Sequence, residues 1–149
     1  MAFLNSLDIS GSALTASRLR MDVISENIAN ASTTKTENGG PYRRKIVQYE
    51  PIEQNSFSRI LAGKMNEGES DQTQKGVKVS AIVDDPTDFT PVYDPTNPDA
   101  NEEGYVMMPN VDPIKETLDM MSVTRAYDAN LTAFNAVKGM AVKALELGR

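Results

Sequence analysis

Three carboxylates, Asp84, Asp85 and Asp88, lie close together, and Glu67, Glu69 and Asp71 form a second such group. Paired carboxylates can hold Ca²⁺ or serve as acid and base in glycoside hydrolysis. Neither group has the Gly-centred spacing of a calcium loop. Both lie in polar sequence, where carboxylates are ordinarily just solvated. Arg43-Arg44-Lys45, with Tyr42 and Tyr49 nearby, has the basic and aromatic character of a nucleic-acid contact. It is the only basic run in an acidic chain, so a solvated strand face or an intersubunit salt bridge is the better reading. Gly39-Gly40-Pro41 reads as a turn, without the helix or the Lys-Ser/Thr ending of a phosphate loop.

The residues missing from the sequence narrow the chemistry further. There is no His and no Cys among the 149 residues. That removes Ser-His-Asp and Cys-His catalysis, thiolate zinc sites and disulfides. Only carboxylate chemistry remains for an enzyme, and no carboxylate pair is convincingly placed, so the chain is read as a non-enzyme without cofactor or metal. The formal charge of −6 argues against a general nucleic-acid binder and against docking on anionic lipid. No stretch approaches the ~18 apolar residues that span a bilayer. Met1-Ala2-Phe3-Leu4-Asn5 has no basic region, and no long apolar run follows, so no cleaved signal is expected.

Two further motifs carry more information. Glu26-Asn27-Ile28-Ala29-Asn30 and Arg125-Ala126-Tyr127-Asp128-Ala129-Asn130 set Asn residues inside helical patterns. Asn is a mediocre helix former, so a reason is expected. Asn30 could simply end its helix, and Arg125, Tyr127 and Asn130 could line a polar surface. Alternatively these side chains fix register between helices, as a buried polar residue does in a coiled coil.

The elements that would hold these motifs are long. Seven of the eight prolines and six of the nine glycines fall between residues 34 and 109, leaving the ends almost free of helix breakers. From about Asn5 to Ser32, Leu7, Leu14, Met21 and Ile28 recur every seven residues, with Ile24 on the same side. A second stripe runs Ile9, Ala13, Ala16, Leu19, Val23. Either this helix is sandwiched within its own domain, or it packs on its own partner with one face and on neighbouring subunits with the other. The second reading is preferred, because the chain has few other helices to enclose it. Asp112-Pro113 is a start signal and Gly148 a stop for a helix of about 35 residues. Its first stripe is Met120, Val123, Tyr127, Leu131, Phe134, Val137, Ala141, Leu145, and its second Ala126, Ala129, Ala133, Ala136, Met140. The predicted fold is mainly α with a small β insert, the long N- and C-terminal helices pairing as a coiled coil. Three segments follow: an N-terminal assembly helix over 1–33, a β- and loop-rich segment over 34–109, and a C-terminal assembly helix over 110–149. In the middle, strands are expected over Tyr42–Tyr49, Gly76–Val83, Phe89–Tyr93 (an edge strand, given Pro91) and Tyr105–Met108. Asn66–Gln74 has no apolar residue and is read as a mobile loop, and Asp94–Glu103 as turns or extended chain.

These ends resemble the axial proteins of the bacterial flagellum: rod, hook and hook-associated subunits. The resemblance rests on Ser10, Gly11, Leu14 and Ala16, then Asn27, Ile28, Ala29, Asn30 and Thr33. At the other end it rests on Asn110-Val111-Asp112 before the helix, then Arg125, Tyr127 and Asn130. The middle, from Val92 to Asp112 and at Gly40–Lys45, is similar to the proximal-rod members of that family. Only the polar stretch at Asn66–Gln74 looks longer than is usual there.

The resemblance implies a structural subunit of the basal-body rod, the driveshaft from motor to hook, which crosses the periplasm. It implies helical polymerisation with copies of itself and other rod proteins, and export by the flagellar type III apparatus without a cleaved signal. Contact with surrounding ring proteins is a further implied option. The expected packing and subunit-interface residues are those of the two first stripes together with Asn27, Asn30, Arg125 and Asn130. Two apolar faces per helix further suggest terminal helices largely disordered until assembly orders them. Alternatives are another axial component of distal-rod or hook type, and a self-contained binding module.

Overall fold

The computed structural model describes residues 2–37, 39–52 and 76–147, with side chains from Asn5 onward. The stretch Asn66–Gln74, the group Glu67, Glu69 and Asp71, and the stop at Gly148 lie outside the described residues. Helix α1 covers Ala2–Ala29 and helix α2 covers Pro113–Glu146. Between them lie β1 (Lys45–Pro51), β2 (Val77–Asp84), β3 (Thr90–Tyr93) and β4 (Tyr105–Met108). β1 pairs with β2 and β3 with β4, giving two separate two-stranded antiparallel sheets.

Local chemistry accounts for the boundaries. Asp112, in extended backbone, accepts from the Ile114 and Lys115 amides and so satisfies two of the orphan donors at the start of α2, while Pro113 fills the first turn. At the end of α1, Asn30 donates to Glu26 O and accepts from Thr33 Oγ1, turning the chain out of the helix. β1 begins three residues later than the expected Tyr42, because Tyr42 is buried and the amides of Arg44 and Lys45 bond to Asn110 and Asn27 instead of to a strand. Exposure alternates along the whole of β2, turning Val77, Val79, Ala81 and Val83 to one side. The register slips at Ser80, which has no partner between Gln48 and Tyr49, so β2 carries a bulge.

The two helices run antiparallel. Asn27 bonds to Glu116, and six residues earlier Met21 meets Thr124. The heptad side of α1 therefore faces α2. The second stripe of α1 meets the β1–β2 sheet. Ser12 Oγ accepts from the Val77 amide, and Gly76, at φ +122°, comes so close that a Cβ there would lie 2.2 Å from Ser12 Oγ. The preference for neighbouring subunits on that face of α1 is thus corrected: within one chain a two-stranded sheet, not a third helix, lies against it. α2 differs. Its inward residues Met120, Val123, Tyr127, Asn130, Phe134, Val137 and Ala141 are buried or half-buried, while Ala126, Ala129, Ala133, Ala136 and Met140 are all exposed.

Candidate functional site

The most completely buried polar groups in the described chain sit where the four parts meet. Asn27 and Glu116 are each only 1% exposed. Asn27 Nδ2 donates to Lys45 O at 3.0 Å and to Glu116 Oε2 at 3.1 Å, while Oδ1 accepts from Lys45 N and Tyr42 Oη, both at 2.9 Å. The primary amide of Asn27 thus faces the backbone of Lys45 as a neighbouring strand would, and these four bonds hold it in one orientation.

Glu116 has its other oxygen on Arg44 Nε at 2.6 Å. From there Arg44 reaches Asp85 at 3.3 Å and Asp119 at 3.6 Å. Its own amide donates to Asn110 Oδ1, and Asn110 Nδ2 donates to the carbonyl and hydroxyl of Thr87. Arg43 closes the same loop from outside, donating to Asp85 O and Thr87 O, with its guanidinium 4.4 Å from the Phe89 ring centre. No buried side-chain polar atom among the described residues lacks a partner, as a stable buried network requires.

Electrostatics follow from this packing. Burial pushes the Tyr42 phenol up to about 12, helped by the charges of Glu26, Asp84 and Glu116. Hydrogen bonds from the Thr87 amide and hydroxyl hold the Asp85 carboxyl below its ordinary value, with Arg44 adding to the effect. For Arg44 burial works against the charge, but Glu116 and Asp85 outweigh it and its affinity for the proton rises. A charged cluster so fully paired has no free nucleophile or base. It is a joint, binding the end of α1, the start of α2, β1 and the 85–87 turn into one body.

The residues singled out in the sequence distribute unevenly over this structure. Ile24 and Val123 are buried, and Leu7, Leu14, Met21, Met120, Tyr127, Phe134, Val137 and Ala141 are half-buried. Asn27 bridges elements, whereas Asn30 and Asn130 bond back to their own helices, at Glu26 O and Ala126 O. Ile28, Arg125, Leu131 and Leu145 are exposed in the single chain. Leu131 and Leu145 therefore do not belong to the packed stripe of α2 within one chain. Sequence reasoning missed Glu116, Tyr42, Asn110 and Thr87 as members of the joint. It also read Asp85 as a solvated carboxylate and Arg44 as a strand-face or intersubunit cation, whereas the two pair within the chain. The signal was present in Asn110-Val111-Asp112: Asn110 ties the β segment, Val111 is buried, and Asp112 caps α2.

The outer side of α2 is the other notable feature. Ile114, Leu118 and Met121, at helical spacing, are 74%, 60% and 50% exposed. The alanine stripe and Met140 continue that uncovered side toward the C-terminal end. Among the described residues, no helix is long and apolar enough to cross a membrane.

Two long helices joined around a small β insert, with an apolar helix face left open, describe an assembly protein. Family models match at both ends of the chain: "Flagella basal body rod protein" over residues 7–35 and "Flagellar basal body rod FlgEFG protein C-terminal" over 102–147. The chain belongs to the FlgC family of flagellar basal-body rod proteins. It is 54% identical to flagellar basal-body rod protein FlgC of Bacillus subtilis (strain 168), over all of both chains. The FlgC proteins of Escherichia coli O6:H1 and Borreliella burgdorferi are 40% and 39% identical, over 100% and 99% of this chain and 100% and 98% of theirs. It is accordingly a structural, non-enzymatic protein of the basal body.

Proposed function

We propose that this chain polymerises helically with its own copies and with other rod proteins into the proximal part of the rod, and that torque passes from motor to hook through its paired helices. The observation that carries this is the open side of α2. Alanines at 126, 129, 133 and 136 stand exposed along one side of the helix, and side chains this small let a second helix approach closely. Ile28, Arg125, Leu131 and Leu145, exposed in the single chain, contact neighbours in this reading, as do the α2 alanines. Such contacts between different patches do not close on themselves, so they propagate as a helix. The pairing of α1 with α2 serves as the coiled-coil wall of the tube, the segment 34–109 faces outward, and the chain reaches the periplasm through the flagellar type III export apparatus.

Ala133→Glu tests the reading. The site is exposed, so the isolated chain should keep its stability to within about 0.5 kcal/mol. In cells, the buried charge should keep the variant out of isolated basal bodies and abolish motility. If the variant enters basal bodies at the level of the unchanged chain, the open side of α2 is not a subunit contact and the proposal fails.

A further inference from the structure

The β3–β4 hairpin takes no part in the joint's central bonds and presents a face of its own. Pairing sets Tyr93 opposite Tyr105 and Pro91 opposite Met107, so these four side chains share one face. All four are exposed, Tyr93 by 64% and Met107 by 50%. The opposite face holds Val106, which is buried, and its partner Val92, which is exposed. A hairpin that needed only to cover the core would put polar residues outside.

The exposed face is also built to hold its shape. Tyr93 and Tyr105 meet edge to face, with ring centres 5.3 Å apart. Gly104 sits at φ +82°, and a Cβ there would lie 2.9 Å from Tyr93 Cε2, so only glycine lets the ring lie where it does. The 94–104 loop is pinned by side-chain turns: Asp94 accepts from Thr96, Asn97 from the Asp99 amide, and Asn101 from the Glu103 and Tyr105 amides. A rigid aromatic pair beside a fixed loop loses little freedom on binding.

The hairpin and its loop are acidic in sequence, while Lys35, from the turn after α1, lines the hollow on the Tyr105 and Met107 side. Residues 79–114 contain eight acidic residues (Asp84, 85, 88, 94, 99 and 112, Glu102 and 103) and not one Lys or Arg. Glu102 and Glu103 stand exposed in the loop beside the tyrosines.

We propose that the face of Pro91, Tyr93, Tyr105 and Met107 is a docking site for a protein partner that presents lysine or arginine around an apolar side chain. The apolar side chain would seat against the tyrosines, and the basic rim would meet Glu102 and Glu103. The inference goes beyond the helix-mediated assembly proposed above, because the face belongs to neither helix.

The test places p-benzoylphenylalanine at Met107 in the full chain, made in its flagellated host. After irradiation, basal bodies are isolated and the cross-linked peptide is identified. The expected product is a protein segment with more Lys and Arg than Asp and Glu. The double variant Glu102→Lys/Glu103→Lys, confined to an exposed loop, should lower the yield about tenfold. A cross-link to a glycan, to a peptide without net positive charge, or none at all overturns the proposal. So does a yield insensitive to the charge reversal. Incorporation of the labelled chain into basal bodies is scored separately, so failure of this site is distinguishable from failure of rod assembly.

Discussion

Asn27 uses every hydrogen-bonding position it has, and that makes it the least replaceable residue of the joint. Asn27→Ala would leave the Tyr42 hydroxyl, one Glu116 oxygen and both backbone groups of Lys45 without their partner in a buried place. A loss of about 3 kcal/mol is expected, read as a lower urea midpoint. Asn27→Asp, though nearly the same shape, should fare no better, since it sets a second carboxylate against Glu116 and the Lys45 carbonyl. Tyr42 supplies an independent reading. Its phenol titrates near 12 in the folded chain against an ordinary 10.0. A raised value means that the neutral form is favoured by folding. The contribution is whole below pH 10 and is lost as pH rises through about 12. Phenolate absorbance should therefore show a late ionising step, and Tyr42→Phe should remove it. If Tyr42→Phe leaves the late step in place, the phenol is not where the network puts it.

Among the elements, burial is lopsided. Every buried residue of α1 lies from Ala16 onward, and every buried residue of α2 lies at or before Val123, among the described residues. Helices of this length draw most of their stability from packing rather than propensity, so local stability should fall with distance from the joint. In the isolated chain, amide exchange should be slow over 16–29 and 114–124 and fast over 5–12 and 130–146. Equal protection along both helices would contradict this, and so would equal freedom. This gradient narrows the expectation of terminal helices largely disordered until assembly to the ends that lie far from the joint. The helices and most strand positions were legible because their signals are local: heptad spacing, a cap before a proline, alternation in β2. The contact of α1 with β1–β2 was not, since periodicity shows that a face is apolar but not whether a helix or a sheet will cover it. Glu116 was invisible for a related reason. A glutamate in a helix reads as surface until Asn27 and Arg44, 89 and 72 residues away in sequence, arrive to pair it.

At the scale of the whole molecule, charge and apolar surface are divided among regions rather than mixed. The last stretch, from residue 110 on, balances five acids with five bases, and its helix offers small side chains on an open face. The region between the helices holds thirteen of the acids and only eight of the bases. Surfaces so different suit different neighbours. The resemblance to axial proteins was legible because it rests on short motifs at the two ends, and the joint explains in physical terms why Asn27 and Asn110 stand there, with Asp112 beside them capping α2. Apolar surfaces alone would let two helices slip past each other by a turn, ~5.4 Å, with little penalty, because hydrophobic contact has no direction. Hydrogen bonds do have direction: a shift of that size would break the Asn27–Glu116 bond between the helices, and any slip of the insert along α1 would break the three from Asn27 to Lys45 and Tyr42. If torque passes through the paired helices as proposed, the joint would act as a machinist's key, holding helix and insert against sliding and failing by shearing rather than by creeping.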